Sequence, residues 1–150
     1  MKTIFYDIIE TIASDLSLYF YKGNESINNF TADDANYPAI FADMPVRSYI
    51  SVRQSGHIDV RVEADLIFAN KTTELDATGD QHIDITDEMF AKVLSFLDRL
   101  QNVTIVDEIL DQTYADEFLN MFDINVSGIV LHLYYTVKNP RSIFTTSTSP

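Results

Sequence analysis

The chain has 150 residues, 46% of them hydrophobic, and its 23 acidic side chains against 10 basic ones give a net charge of −13 and a pI near 4.3. That length makes one domain with a real core, and only four glycines and four prolines argue against a disordered or fibrous chain. An acidic surface repels phosphate, which disfavours duplex binding through the backbone and docking on anionic membranes. With no cysteine, disulfide staples, thiolate catalysis and Cys-ligated zinc are excluded.

The start, Met1–Tyr6, is apolar, but Asp7 and Glu10 interrupt it and no small-residue cleavage site follows, so no signal peptide is expected. Ile4/Phe5, Ile8/Ile9, Ile12 and Leu16 recur at helical spacing and predict an amphipathic helix over 3–18. Leu18–Tyr21 either finishes that helix or begins a short strand. Residues 24–45 are polar and turn-rich, with one apolar patch at Ala39-Ile40-Phe41 that reads as a strand or an anchor.

The most regular pattern follows. In 57–68, Ile58, Val60, Val62, Ala64, Leu66 and Phe68 hold the even positions, while Asp59, Arg61, Glu63 and Asp65 hold odd ones. A period of two marks a strand with one dry and one wet face. Residues 46–53 repeat it, with Val46, Ile50 and Val52 on one side and Arg47, Tyr49, Ser51 and Arg53 on the other. Gln54-Ser55-Gly56 joins the two as a long β-hairpin. Its dry face is expected to be core. Three of the five arginines lie on its wet face, which makes Arg47, Arg53, Asp59, Arg61 and Glu63 the candidate subunit interface. Arginine suits bidentate carboxylate partners on a neighbouring copy. Ordinary cross-strand pairing with Asp59 and Glu63 explains the same residues equally well.

Asn70–Ile85 reads as a long acidic connection, with a possible strand at His82–Ile85. Thr86 as N-cap, with Asp87 and Glu88 in the first turn, predicts a helix over 87–101 built on Phe90, Val93, Leu94, Leu97 and Leu100. Val103–Leu110 reads as a strand, and Tyr114–Phe122 as a short helix. Val126–Val137 reads as a central strand, apolar on both faces, in which Gly128 marks a bulge or a close approach. Its apolar run is too short to span a bilayer. The Ser/Thr-rich tail, 138–150, is expected to be loose. The whole is one α+β domain over 1–137: a mainly antiparallel sheet with a long hairpin and two principal helices on one face.

Catalytic and metal motifs are weak. Asp80-X-His82-X-Asp84 aligns three ligand types if extended, but a polar residue in an acidic loop is the simpler reading, so no metal, catalytic residue or cofactor is assigned. Asp76–Asp80 lacks the alternating ligands and closing Glu of an EF-hand. No Gly-X-Ser-X-Gly elbow or Gly-rich phosphate loop occurs. The Asn-X-Ser/Thr triplets at Asn24, Asn29, Asn70, Asn102 and Asn125 follow from an Asn- and Thr-rich composition.

The element order is an N-terminal helix, a long hairpin, a helix containing Phe90–Leu97, a closing strand and a loose tail. Over residues 1–137 this resembles the tail-terminator and head–tail joining proteins of tailed bacteriophages. The acidic, cysteine-free, Asn-, Asp-, Ile- and Tyr-rich texture is similar to proteins of crAss-like phages of gut Bacteroidota. The resemblance implies a tail-terminator-like fold and a non-catalytic virion protein, assembled in the host cytoplasm. Copies would form a homo-oligomeric ring at the neck, touching portal, ring or tail proteins. An acidic lumen would let the DNA genome pass without binding, and no membrane would be involved. A small acidic binding protein, such as an immunity protein or antitoxin that neutralises a basic partner, fits the charge as well.

Overall fold

The computed structural model describes residues 2–22, 35–42, 46–71, 79–121, 126–138 and 140. Along the chain these are α1 (Lys2–Asp15), β1 (Tyr19–Lys22), β2 (Ala39–Ala42), β3 (Arg47–Val52), β4 (Ile58–Lys71), α2 (Gly79–Gln101), β5 (Val106–Ile109), β6 (Tyr114–Met121) and β7 (Val126–Val137). The architecture is α+β, with one mixed seven-stranded sheet and both helices on one face. Among the described residues no helix is long and apolar enough to cross a membrane.

β4 and β7 form the spine, paired antiparallel over eleven residues from Arg61↔Thr136 to Lys71↔Val126. The free edge of β4 is shared. β3 takes residues 58–63 and β2 takes 66–69. The outer edge of β7 is shared likewise, by β6 near 126–132 and β5 near 135–137. β1 pairs with β2 in parallel, and the other five pairings are antiparallel.

The even positions of β4 do what their period requires. Val60, Val62, Ala64, Leu66 and Phe68 are buried beside Ile129, Leu131, Leu133 and Tyr135 of β7. The helices close this layer with Phe5, Ile9 and Ile12 from α1 and Met89, Val93, Phe96 and Leu100 from α2. The ring of Phe96 meets Phe68 edge-on at 5.4 Å, and Phe5 stacks on Tyr135 at 6.4 Å. A smaller cluster, Ala39, Phe41, Ala69, Phe118 and Val126, covers one end of the opposite face. Gly128 of β7 lies close against the β4 backbone. A Cβ there would stand 1.8 Å from the Phe68 carbonyl oxygen, so the expected close approach is real.

Several local expectations change. α1 stops at Asp15, and Leu18–Tyr21 resolves as the entry to a strand. Ser17 has φ 60°, with Leu18 N–H donating to Ala13 O at 2.8 Å and Ser17 N–H to Ser14 O at 3.1 Å. This is a Schellman stop with serine in the left-handed position usually held by glycine. Lys92 Nζ also donates to Leu16 O at 2.9 Å, tying the end of α1 to α2.

α2 begins at Gly79, ahead of Thr86, so His82–Ile85 is helical and not a strand. Thr86 is buried mid-helix, its hydroxyl donating to Ile83 O at 2.7 Å. It satisfies itself locally instead of capping. Phe90 and Leu94, expected in the core, are 44% and 54% exposed; the buried stripe runs through Ile85, Met89, Val93, Phe96 and Leu100. Tyr114–Met121 is a strand and not a helix, because tertiary pairing with β7 overrides its helical spacing. The 72–78 part of the acidic connection and residues 139 and 141–150 of the tail lie outside the described residues. Lys138 N–H still donates to Ile105 O at 2.8 Å, and Pro140 is buried.

Candidate interaction surface

The five residues singled out from sequence come together on one surface. Register places Arg47 opposite Glu63, Tyr49 opposite Arg61 and Ser51 opposite Asp59, all on the sheet face away from the helices. β7 adds Thr136 beside Arg61, Tyr134 beside Glu63 and His132 beside Asp65. The hairpin end of this face is therefore a polar grid. Its other end is the small apolar cluster around Phe41.

The arginines behave differently from one another. Arg53 Nε pairs with Asp59 Oδ2 at 2.9 Å, and His57 Nε2 lies 3.0 Å from Asp59 Oδ1. For Arg53 the cross-strand explanation holds. Its side chain is 66% exposed, so this pair adds about 0–1 kcal/mol. Arg61 forms no ion pair among the described residues. Its guanidinium lies 4.4 Å from the centroid of the Tyr49 ring, and its Nε is buried without a hydrogen-bond partner among the described residues. Arg47 is fully exposed. A hydrogen bond to the Tyr49 hydroxyl, with the nearby Tyr49 and Glu63, moves its pKa further up. Glu63 Oε1 accepts from the Tyr134 hydroxyl at 3.4 Å, and the loss of solvent around that hydroxyl, followed by the Glu63 carboxylate, raises its pKa.

A second cluster in the grid escaped the sequence reading. His132 Nδ1 lies 2.7 Å from Asp65 Oδ1 and its Nε2 lies 3.1 Å from Asp116 Oδ2. The Tyr114 ring stacks on the imidazole at 4.3 Å. Both nitrogens can donate at once only in the imidazolium. The signal was parity: His132, Tyr134 and Thr136 alternate on β7 as Asp59, Arg61, Glu63 and Asp65 do on β4. The two carboxylates bracket the ring from opposite sides, so they do not converge on a common point.

His82 and Asp84 are not brought together, and the side chain of Asp80 lies outside the described residues. On a helix, positions two apart point in different directions. His82 is buried with its Nδ1 against Ser127 Oγ of β7, and Asp84 is exposed. Among the described residues no three His, Cys, Asp or Glu side chains are placed to hold a metal ion. A groove of about 400 Å³ runs between α1 and the α2–β5 connection, lined by Asp7, Ile8, Thr11, Ile12, Val103 and Ile105. It is mostly apolar and offers one carboxylate without a partner base.

No family model, no curated protein and no solved structure matches this chain.

Proposed function

We propose that this is a non-catalytic virion structural protein whose copies form a ring at the head–tail interface of a tailed bacteriophage. In this reading the ring links portal to tail, and DNA passes through without specific binding. The observation that supports it most is on the hairpin. Arg47 and Arg61 face outward from an acidic protein without an ion-pair partner among the described residues. Unpaired arginines at the margin of an acidic protein suit carboxylates on another copy. The net charge of −13 supports a lumen that repels phosphate.

The test has two arms. Electron microscopy of the particle neck, or of concentrated purified protein, is expected to show rings. Arg61→Glu is expected to keep the fold and weaken assembly. A protein that stays monomeric at high concentration and is missing from purified particles ends this reading, and unfolding by Arg61→Glu would make the face an internal one. The second reading, an acidic inhibitor of a basic partner, draws on the same charge. A neighbouring toxin gene would favour it, whereas portal and capsid genes favour the ring.

A further inference from the structure

The chain leaves the sheet at the mouth of the groove beside α1. Lys138 N–H donates to Ile105 O at 2.8 Å, one step beyond the Val106↔Val137 pair, so β7 ends alongside the connection that follows α2. Pro140, two residues on, is still buried. Ile105 is also a wall of the groove of about 400 Å³, with Val103 beside it and Asp7, Ile8, Thr11 and Ile12 of α1 opposite. Val106 N–H bonds Val103 O at 3.0 Å and closes the connection into a turn, which fixes that wall.

The floor of the groove is apolar and its rim acidic. Ile8, Val103 and Ile105 are half-buried, packed on the core from one side and open to the groove on the other. Asp7 is exposed and has no ion pair among the described residues. A second hollow of about 530 Å³ shares Thr11, Ile12 and Val103 and carries the groove on past Asp15, Asp98 and Asn102. β7 runs antiparallel to β5, so after Lys138 the chain is headed from Ile105 toward Val103, the direction in which the groove extends.

Charge and reach select what fits there. Residues 141–150, outside the described residues, read Arg-Ser-Ile-Phe followed by six residues of Thr, Ser and Pro. The segments 23–34, 43–45, 72–78 and 122–125 also lie outside them, and each carries Asp or Glu and no Lys or Arg. Of these five segments, 141–150 alone combines apolar side chains with a cation and no carboxylate side chain. Phe144 is six residues past Lys138, a reach of up to about 20 Å in extended chain.

We propose that the groove beside α1 is the docking site of this chain's own residues 141–144. Ile143 and Phe144 cover Ile8, Val103 and Ile105, and Arg141 pairs with Asp7. The segment straps α1 to the turn between α2 and β5, and 145–150 follow without an apolar anchor. The two apolar side chains supply most of the attraction, and the exposed ion pair on the rim sets the register. The same segment of a second copy has the same chemistry. The groove opens where its own chain emerges, however, and a short tether gives the attached segment the higher effective concentration. The strap does not depend on whether copies assemble into a ring.

The chain has no tryptophan, so Phe144→Trp installs a single fluorescent reporter in the whole chain. Its emission is expected to lie to the blue of free tryptophan, at dilutions where sedimentation gives the 17.1 kDa monomer. Asp7→Arg in that background is expected to shift the emission to the red, and Arg141→Asp added to it is expected to restore the blue. Thr104→Arg, at an exposed position of the groove wall, is expected to shift it to the red as well. Circular dichroism checks that each variant is folded. Blue emission indifferent to Asp7→Arg and Thr104→Arg alike overturns the proposal, and so does a red shift that Arg141→Asp fails to reverse. Blue emission that fades on dilution to the monomer overturns it in favour of a neighbour's segment. Ile143→Trp repeats the series should Phe144→Trp show solvent-like emission, and solvent-like emission at both positions ends the proposal.

Discussion

β3 and β4 are two arms of one hairpin with the same alternation, and their fates differ. On β4 the even residues are core: Val62, Leu66 and Phe68 are fully buried. On β3 all six residues are exposed, Ile50 and Val52 included. The register is correct in both, since Ile50 faces Val60 and Val52 faces Ile58. What differs is the layer above. α2 and α1 cover β4 and β7, and the hairpin reaches past them. Alternation makes a strand two-faced, but it does not supply the second layer that dries the apolar face.

The largest way to sharpen that contrast is Gly128→Ala, on the spine. Its Cβ would run into the backbone oxygen of Phe68, which has no flexible end to yield. A loss of about 4 kcal/mol or more is expected, read by denaturant unfolding or as insoluble protein. Gly56→Ala at the hairpin turn has open space and only a positive φ of 83° to contend with, so about 1 kcal/mol is expected.

Next comes Phe68→Ala, which removes a buried ring packed on Phe96 and should cost about 3–5 kcal/mol. Ile50→Ala in the other arm should stay within about 0.5 kcal/mol for the monomer. Equal losses at the two sites would mean that β3 is covered in the monomer after all.

Alkaline titration probes the two sides of the spine together. Burial, and then Tyr21, push the Tyr37 hydroxyl up to about 12, and burial raises Tyr135 as well. Their unfolded-state pKa values lie near 10, so the unfolded chain gives up these protons first. Stability is therefore full below pH 10 and falls as the pH rises from 10 through 12. Tyr37→Phe should flatten that fall, measured as midpoint denaturant concentration against pH.

The smallest expected effect is at the α1 stop. Ser17 pays for a left-handed backbone, so Ser17→Gly should be neutral or stabilise by up to about 1 kcal/mol in thermal unfolding. A clear loss would show that the serine side chain contributes more than the backbone strain costs.

Much of this fold was legible because it depends on near neighbours in sequence. The period of two over 57–68, the Gln54-Ser55-Gly56 turn and the β-branched run 126–137 each specify their own conformation, and all three are where expected. The errors fall where the partner decides. Tyr114–Met121 has helical spacing but lies against β7, whose open edge takes it as a strand. Thr86 looks like a cap, yet α2 already runs through 79–85, where His82 packs on Ser127, forty-five residues away. Of the candidate surface, the five hairpin residues were legible from parity alone, and they do share a face. Which arginines are already paired was not: Arg53 reaches Asp59, whereas Arg61 turns to Tyr49. Nor was the bracketing of His132 by Asp65 and Asp116, which needs three strands in register.

By itself, then, the sequence determined the two-faced strands, both helices, the acidic balance and the absence of thiol chemistry, because these are set by local spacing and composition. Only the tertiary structure decided which apolar stripes are dry. Ile50, Val52, Phe90 and Leu94 carry the same periodic signature as the core, and they stay exposed because no second layer of this chain reaches them.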